Sequence, residues 1–198
     1  VDMPEHEIKL LSYLIAEGHT KHIVSFSNID SKIVADFDKA LKDFDPSLSL
    51  IEDKVGCHRI SDTNWKTNVL EHDLSRTDKG YFLKGAKNII EKRRIRKLIE
   101  RGDLFGKLSI EKFISNNLMG LRKDQMALFL NRLFSCDGSV YKSSNYWQIS
   151  YSSSSERLIR QVQSLLLRFE ILSKLRKKRV KCNGKIFDTF ELVLNSIN

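Results

Sequence analysis

Two stretches of the chain are apolar on nearly every side and then stop at an acid followed by glycine. They are residues 10–18, LLSYLIAEG, and residues 130–138, LNRLFSCDG. An apolar run that ends at glycine predicts a buried helix with that glycine at its C-terminal cap. The first such helix is expected over residues 7–16. The second is expected up to Asp137, with residues 116–124 leading into it. After each helix the period changes from helical to alternating. Val24 and Phe26 point one way and Ser25 and Ser27 the other; Trp147, Ile149 and Tyr151 likewise alternate with Gln148, Ser150 and Ser152. Such alternation predicts half-buried strands. Then comes an amphipathic helix in each half. One runs from a cap at Asp30 or Ser31 to about Asp43, with Ile33, Val34, Phe37, Ala40 and Leu41 as its apolar stripe, and the other over residues 156–169. Strands are expected around residues 48–52, 55–61 and 65–70 in the first half. In the second, two strands joined by an Asn183-Gly184 turn close the chain.

The order repeats, and so do the residues. Residues 24–44 align on residues 149–169 without a gap, with Ser25/Ser150, Ser27/Ser152, Leu41/Leu166 and Phe44/Phe169 identical. Repeated helix, repeated hairpin and repeated amphipathic helix in one order indicate a duplicated unit. The expected fold class is α+β: two helix-strand-strand-helix-strand-strand halves about a pseudo-twofold axis. The two acid-tipped helices would cross at the centre. The antiparallel sheets would turn apolar faces to helices and polar faces outward, as a saddle. Residues 1–84 form the first half, 127–198 the second, and 85–126 a basic linker with no counterpart, carrying a helix over residues 88–100 closed by Gly102.

Composition narrows the partner. With 198 residues, 41% of them hydrophobic, the chain can bury a core, and its net charge of +9 suits a polyanion, nucleic acid before membrane. No apolar run reaches the length of a membrane span and no signal peptide opens the sequence, so a cytoplasmic location is expected, or an organelle stroma or matrix if the gene is organellar. Cys57, Cys136 and Cys182 are isolated, and they read as free thiols rather than as a disulfide frame or zinc site. His19, His22, His58 and His72 lack metal-ligand spacing and are expected at the surface.

The candidate chemistry lies at the two helix ends. A carboxylate on the last turn sits where the helix carbonyls are already negative, a poor place unless a cation waits there. Glu17 and Asp137, flanked by the carbonyls of Ala16 and Cys136, offer the hard oxygen set that Mg²⁺ prefers. Bound Mg²⁺ can activate water and stabilise a leaving oxygen in phosphodiester hydrolysis.

Apolar helices ending in acid-glycine, two per chain, resemble the LAGLIDADG (dodecapeptide) homing endonucleases. The spacing, the run FGKLSIEKFI at residues 105–114 and the run LLLRFEI at residues 165–171 most resemble endonuclease domains of inteins in replicative DNA helicases, over roughly residues 5–194. The resemblance implies a monomeric, site-specific double-strand DNA endonuclease using Mg²⁺, with Mn²⁺ as substitute, normally inserted between intein splicing segments. It places Lys112 in the active site and requires a second lysine, for which Lys181 is favoured over Lys185. Glu17 and Asp137 become catalytic metal ligands. The expected DNA contacts are Lys21, Ser25, Ser27, Asn28, Arg59, Lys66, Arg93 and Arg94 in the first half and linker. In the second half they are Lys142, Gln148, Ser150, Ser152, Arg176, Lys177, Arg179, Lys181 and Lys185. Arg132 departs from the family, which places a small residue at that helix contact. The alternatives are a fold relative that binds DNA or RNA without cutting, and a degenerate intein insert.

Overall fold

The computed structural model describes residues 2–21, 24–62, 94–143, 146–182 and 184–194. The strand expected at 65–70, together with Lys66, His22, His72 and Arg93, lies outside the described residues.

Helix α1 (Glu5–Glu17) starts where the Pro4 carbonyl accepts the amides of Glu7 and Ile8. Glu5 and Glu7 suit the positive end of the helix. From Leu10 to Ile15 every side chain is buried, because helices pack on α1 from several sides. The chain then passes straight into β1 (Gly18–His19), which pairs antiparallel with β2 (Ser25–Ser27). Helix α2 (Ser31–Phe44) is capped by the Asp30 carboxylate, which accepts from the amides of Lys32 and Ile33. Its buried stripe, Phe37, Ala40, Leu41 and Phe44, covers one face of a sheet completed by β3 (Leu48–Lys54) and β4 (Cys57–Asp62), in the order β1-β2-β4-β3. The rings of Phe26 and Phe37 stack at 4.3 Å, joining strand to helix.

The linker helix α3 (Arg94–Arg101) buries Ile95, Leu98 and Ile99 and packs on α1. Its basic face is largely committed within the protein. Arg94 lies 3.5 Å from Asp45 and over the Phe44 ring, and Arg101 lies 2.9 Å from Glu7. Arg94, expected on DNA phosphate, here ties α3 to the end of α2 while staying largely exposed. The Thr20 hydroxyl donates to the Leu104 carbonyl, tying the linker to the first sheet (2.6 Å). A 3₁₀ turn at Ser109–Glu111 and the short α4 (Asn116–Met119) lead to α5 (Lys123–Asp137).

The second half repeats the first. Helix α5 packs against α1 and runs into β5 (Gly138–Ser143), which pairs with β6 (Tyr146–Ser153). Ser155 caps α6 (Glu156–Leu167), and β7 (Ser173–Cys182) with β8 (Lys185–Leu194) completes a sheet in the order β5-β6-β8-β7. The two strand orders are the same, so the duplication expected from the sequence is the architecture of the protein. The halves differ in detail: β5 is longer than β1, and β7 and β8 are longer than β3 and β4.

Candidate active site at the junction of the two halves

The helix ends deliver both acids. Gly18 and Gly138 turn the chain directly from helix to strand, but not by the left-handed cap expected of a terminal glycine. Their φ values are −79° and −85°. Glycine is needed there for space. A Cβ on Gly18 would lie 2.5 Å from the Leu14 carbonyl oxygen, and one on Gly138 would lie 2.3 Å from that of Phe134. The turn is so tight that the carboxylate stays at the helix end.

Lys112 links the halves. Its carbonyl accepts the Ser155 hydroxyl (2.7 Å), and two residues on, Ile114 exchanges two hydrogen bonds with the Gln161 side chain (both 2.8 Å). The backbone is thus held by α6. Its ammonium crosses to the other half and donates to the carbonyls of Leu14 (3.0 Å) and Gly18 (2.7 Å), at the end of α1. Lys112 is only 3% exposed. Burial lowers its pKa to about 8, against the opposing pull of Asp137 and Glu17.

Both carboxylates respond to the same crowding. Burial, then the charge of Glu17, raises Asp137 to about 6 in spite of Lys112. Burial also raises Glu17, opposed by Asn28 and Lys112. The Asn28 amide donates to Glu17 Oε2 at 2.6 Å, while its own carbonyl accepts the amide of Asp30. Asn28, expected on DNA, is thereby a partner of the first acid. Its counterpart Ser153 stands in the wall of a cleft around Asp137, with Ile15, Ala16, Ser109, Lys112, Ser152, Ser154 and Leu158. Ala16 of the first helix thus faces the acid of the second. Cys136 is half-buried, and burial pushes its thiol far up, so it stays neutral.

Among the described residues no group of three or more His, Cys, Asp or Glu side chains gathers. The donor set is two carboxylates with oxygen neighbours. Their raised pKa values mark a place where added positive charge is favourable, which fits a hard divalent cation held with water and backbone oxygen.

The outer faces of the sheets follow from the register. Tyr151 packs on Phe134, so Ile149, Trp147 and their partners Val140 and Lys142 share the helix-side face. The opposite, cradle face carries Tyr141, Gln148 and Ser152, and the strand pairing continues it to Lys174, Arg176 and Lys178. Several expected contacts are accordingly corrected. Ser150 lies on the cradle face but is 2% exposed, in contact with the Ser139 hydroxyl. Lys142, Lys177 and Arg179 alternate onto the other face, and the latter two approach Asp188 (2.8 and 4.0 Å). Lys181 pairs with Ile186 near the hairpin tip and is exposed, and the wall of the cleft around Asp137 does not include it. Lys185 is the last rung, opposite Cys182. In the first half Ser25, Ser27 and Arg59 share the cradle face, with Arg59 bridged to Asp53 at 2.8 Å, and Lys21 is exposed. His58, expected at the surface, is buried on the helix side, because it pairs with Phe26. Lys174, Lys178 and Tyr141, absent from the expected contacts, also lie on this face; alternation within one strand does not reveal which cation faces the cradle without the register to β6.

Comparisons with known proteins agree with this architecture. Residues 124–198 match the LAGLIDADG-like domain. The replicative DNA helicase DnaB of Synechocystis sp. is 28% identical over 197 residues, which is 97% of this chain but 20% of the helicase. Replication factor C small subunit of Methanocaldococcus jannaschii is 28% identical over 193 residues, 94% of this chain and 8% of that protein. The chain thus spans a fifth or less of these two relatives. Among solved structures, a variant of the homing endonuclease I-DmoI in complex with its target DNA in the presence of Mg aligns with a TM-score of 0.52, at 8% identity, over 96% of this chain and 89% of that one. DUF199/WhiA from Thermatoga maritima aligns with a TM-score of 0.53, at 14% identity, over all of this chain and 54% of that one.

Proposed function

We propose that this protein, a duplicated LAGLIDADG chain with the homing endonuclease fold, is a site-specific endonuclease that hydrolyses both strands of a DNA duplex with a divalent metal. The observation that carries the reading is the convergence of Glu17, Asp137 and Lys112 where the two halves meet. Bound Mg²⁺, or Mn²⁺ in its place, would supply an activated water and neutralise the phosphate. Glu17 and Asp137 would hold the cation, with the carbonyls of Ala16 and Cys136 beside them. Asn28 fixes the rotamer of Glu17. Lys112 keeps a positive charge beside both acids and limits their repulsion. The DNA would lie along the cradle face, with Ser25, Ser27, Gln148, Ser152, Arg176 and Lys178 toward it.

A second part of the reading concerns context. Nearly the whole chain matches a small share of a replicative DNA helicase and a still smaller share of a replication factor C small subunit. One unit common to proteins with different tasks behaves as an insert, which supports an endonuclease domain carried between the splicing segments of an intein. The chain would act as a monomer, its halves joined by residues 85–126, since both acids are present in one polypeptide.

The rival reading, a DNA-binding module that does not cut, rests on the Lys112 ammonium. It is already spent on two helix carbonyls rather than aimed outward. Cleavage of the uninterrupted host gene in Mg²⁺ separates the two. The wild type should make one double-strand cut. Glu17→Gln and Asp137→Asn should abolish it with binding within a few-fold, and Lys112→Ala should slow single-turnover cleavage more than it weakens binding. Binding without any cut in wild type selects the rival.

A further inference from the structure

The two acids have different neighbours in equivalent places. Phe26 and Tyr151 correspond in the repeat, because each pairs with the glycine that follows its acid, Phe26 with Gly18 and Tyr151 with Gly138. Both rings are fully buried on the helix side of their sheets. Phe26 packs on Tyr13 and Phe37, and Tyr151 on Phe134. Only the second ring carries a hydroxyl. Asn28 and Ser153 correspond as well. The Asn28 side-chain carbonyl accepts the amide of Asp30 at 2.8 Å, and Ser153 Oγ accepts that of Ser155 at 3.1 Å. Asn28 then has its amide left for Glu17. Among the described residues no side chain donates to Asp137.

The second half thus holds an unmet acceptor and an unmet donor close together. The Tyr151 hydroxyl is buried with no hydrogen-bond partner among the described residues. Such a hydroxyl is a cost that phenylalanine, accepted at this place in the first half, would avoid. Burial, then the charges of Asp137 and Cys136, keep the proton on Tyr151, so it is a donor within electrostatic reach of the acid. The Cys136 thiol is a weak acceptor, which leaves the carboxylate as the stronger one. Side-chain length accounts for the change of donor. Glutamate, one methylene longer, carries its oxygens out to Asn28. Aspartate keeps them nearer the helix end, where the adjoining Gly138 faces Tyr151.

We propose that Tyr151 is the positioning residue of the second acid: its hydroxyl donates to the Asp137 carboxylate when that acid holds a divalent cation, the task that Asn28 performs for Glu17. A carboxylate fixed through one oxygen presents the other to the cation in one orientation. Since each acid has its own donor, one can be disturbed while the other stays held. The inference rests on the metal-site reading above.

Tyr151→Phe removes the hydroxyl and leaves a ring that the fold already accepts at Phe26. In denaturant unfolding with EDTA the variant should be as stable as wild type or more so. The Mg²⁺ concentration needed for a given gain in stability should rise on the order of 10-fold, as the loss of a partner behind a metal ligand does. On a plasmid carrying the uninterrupted host gene, nicked circle should accumulate, because only one acid has lost its donor. The triple variant Tyr151→Phe/Ser153→Asn/Asp137→Glu copies Phe26, Asn28 and Glu17, and should recover most of the Mg²⁺ response and the paired cut. An unaltered Mg²⁺ response in Tyr151→Phe overturns the inference, whatever its metal-free stability, and so does a loss that the triple variant leaves in place. If wild type gains stability from Mg²⁺ yet cuts nothing, the endonuclease reading falls and the Mg²⁺ comparison still decides the role of Tyr151. If wild type gains nothing from Mg²⁺, the metal site falls and this inference with it.

Discussion

Asp137 and Glu17 are costly to the protein when no cation is bound. Asp137 has an ordinary value of 3.8, raised to about 6. A carboxyl raised in the folded state favours folding fully below its unfolded value, and that contribution is lost as pH rises through the folded value. The metal-free protein should therefore lose on the order of 2 kcal/mol from this one group between about pH 4 and about pH 7.5. Chemical unfolding in EDTA across that range checks it: Asp137→Asn should remove most of the slope and be the more stable protein at the upper end, whereas an unchanged slope would mean that the acid is not strained. Mg²⁺ that binds the ionised pair should restore the loss in wild type. At this scale the sequence was partly legible. The acids follow from the apolar-acid-glycine pattern, and Lys112 from the block that precedes the second helix. The deep burial of Lys112 was not readable, because it depends on two carbonyls supplied by a helix nearly a hundred residues away in the chain. Asn28 was assigned to DNA for the same reason: only the fold sets it against Glu17.

Among elements, the helices were legible and the strand ends were not. Asp30 and the apolar stripe located α2 to within a residue or two, since a cap and a 3.6-residue period are local signals. The full reach of β7 and β8 was hidden by a run of Lys and Arg that shows no alternation, where pairing with the opposite strand, not burial, sets the structure. The glycine after each acid was read correctly as a stop, but its reason is steric rather than conformational. That difference gives a prediction. In Gly138→Ala the new methyl would meet the Phe134 carbonyl at 2.3 Å, so the helix end must move and take Asp137 with it. Cleavage should fall on the order of 10- to 100-fold, as displacement of a positioned group by about an ångström does. Circular dichroism and DNA affinity should stay near wild type. Unaltered cleavage would show that the acid does not depend on the turn.

Across the whole molecule, the repeat in the sequence corresponds to the repeat in strand order, while the contacts between halves break the symmetry. Arg132, a large residue where a small one was expected, does not part the central helices. It turns aside to Asp36 on α2, at 2.7 Å, where the Tyr13 hydroxyl and the Lys9 ammonium also bond. Although burial pushes it upward, these donors together hold the Asp36 carboxyl below its ordinary value. The cluster joins α1, α2 and α5, and so the first half to the second. Arg132→Ala and Asp36→Asn should each destabilise, and combined should lose less than the sum, by on the order of 1 kcal/mol in denaturant unfolding. Full additivity would show that the contact contributes nothing to the junction.

Lys112 travels with the second half in the polypeptide yet completes the end of the first. Were the gene cut between them, the shorter product carrying Glu17 would leave Lys112 behind, and among its described residues no other ammonium bonds to the end of that helix. The longer product would bring its own lysine to every copy. If the chain descends from a self-pairing ancestor, that ancestor is better sought in residues 94–198 than in the part that now comes first.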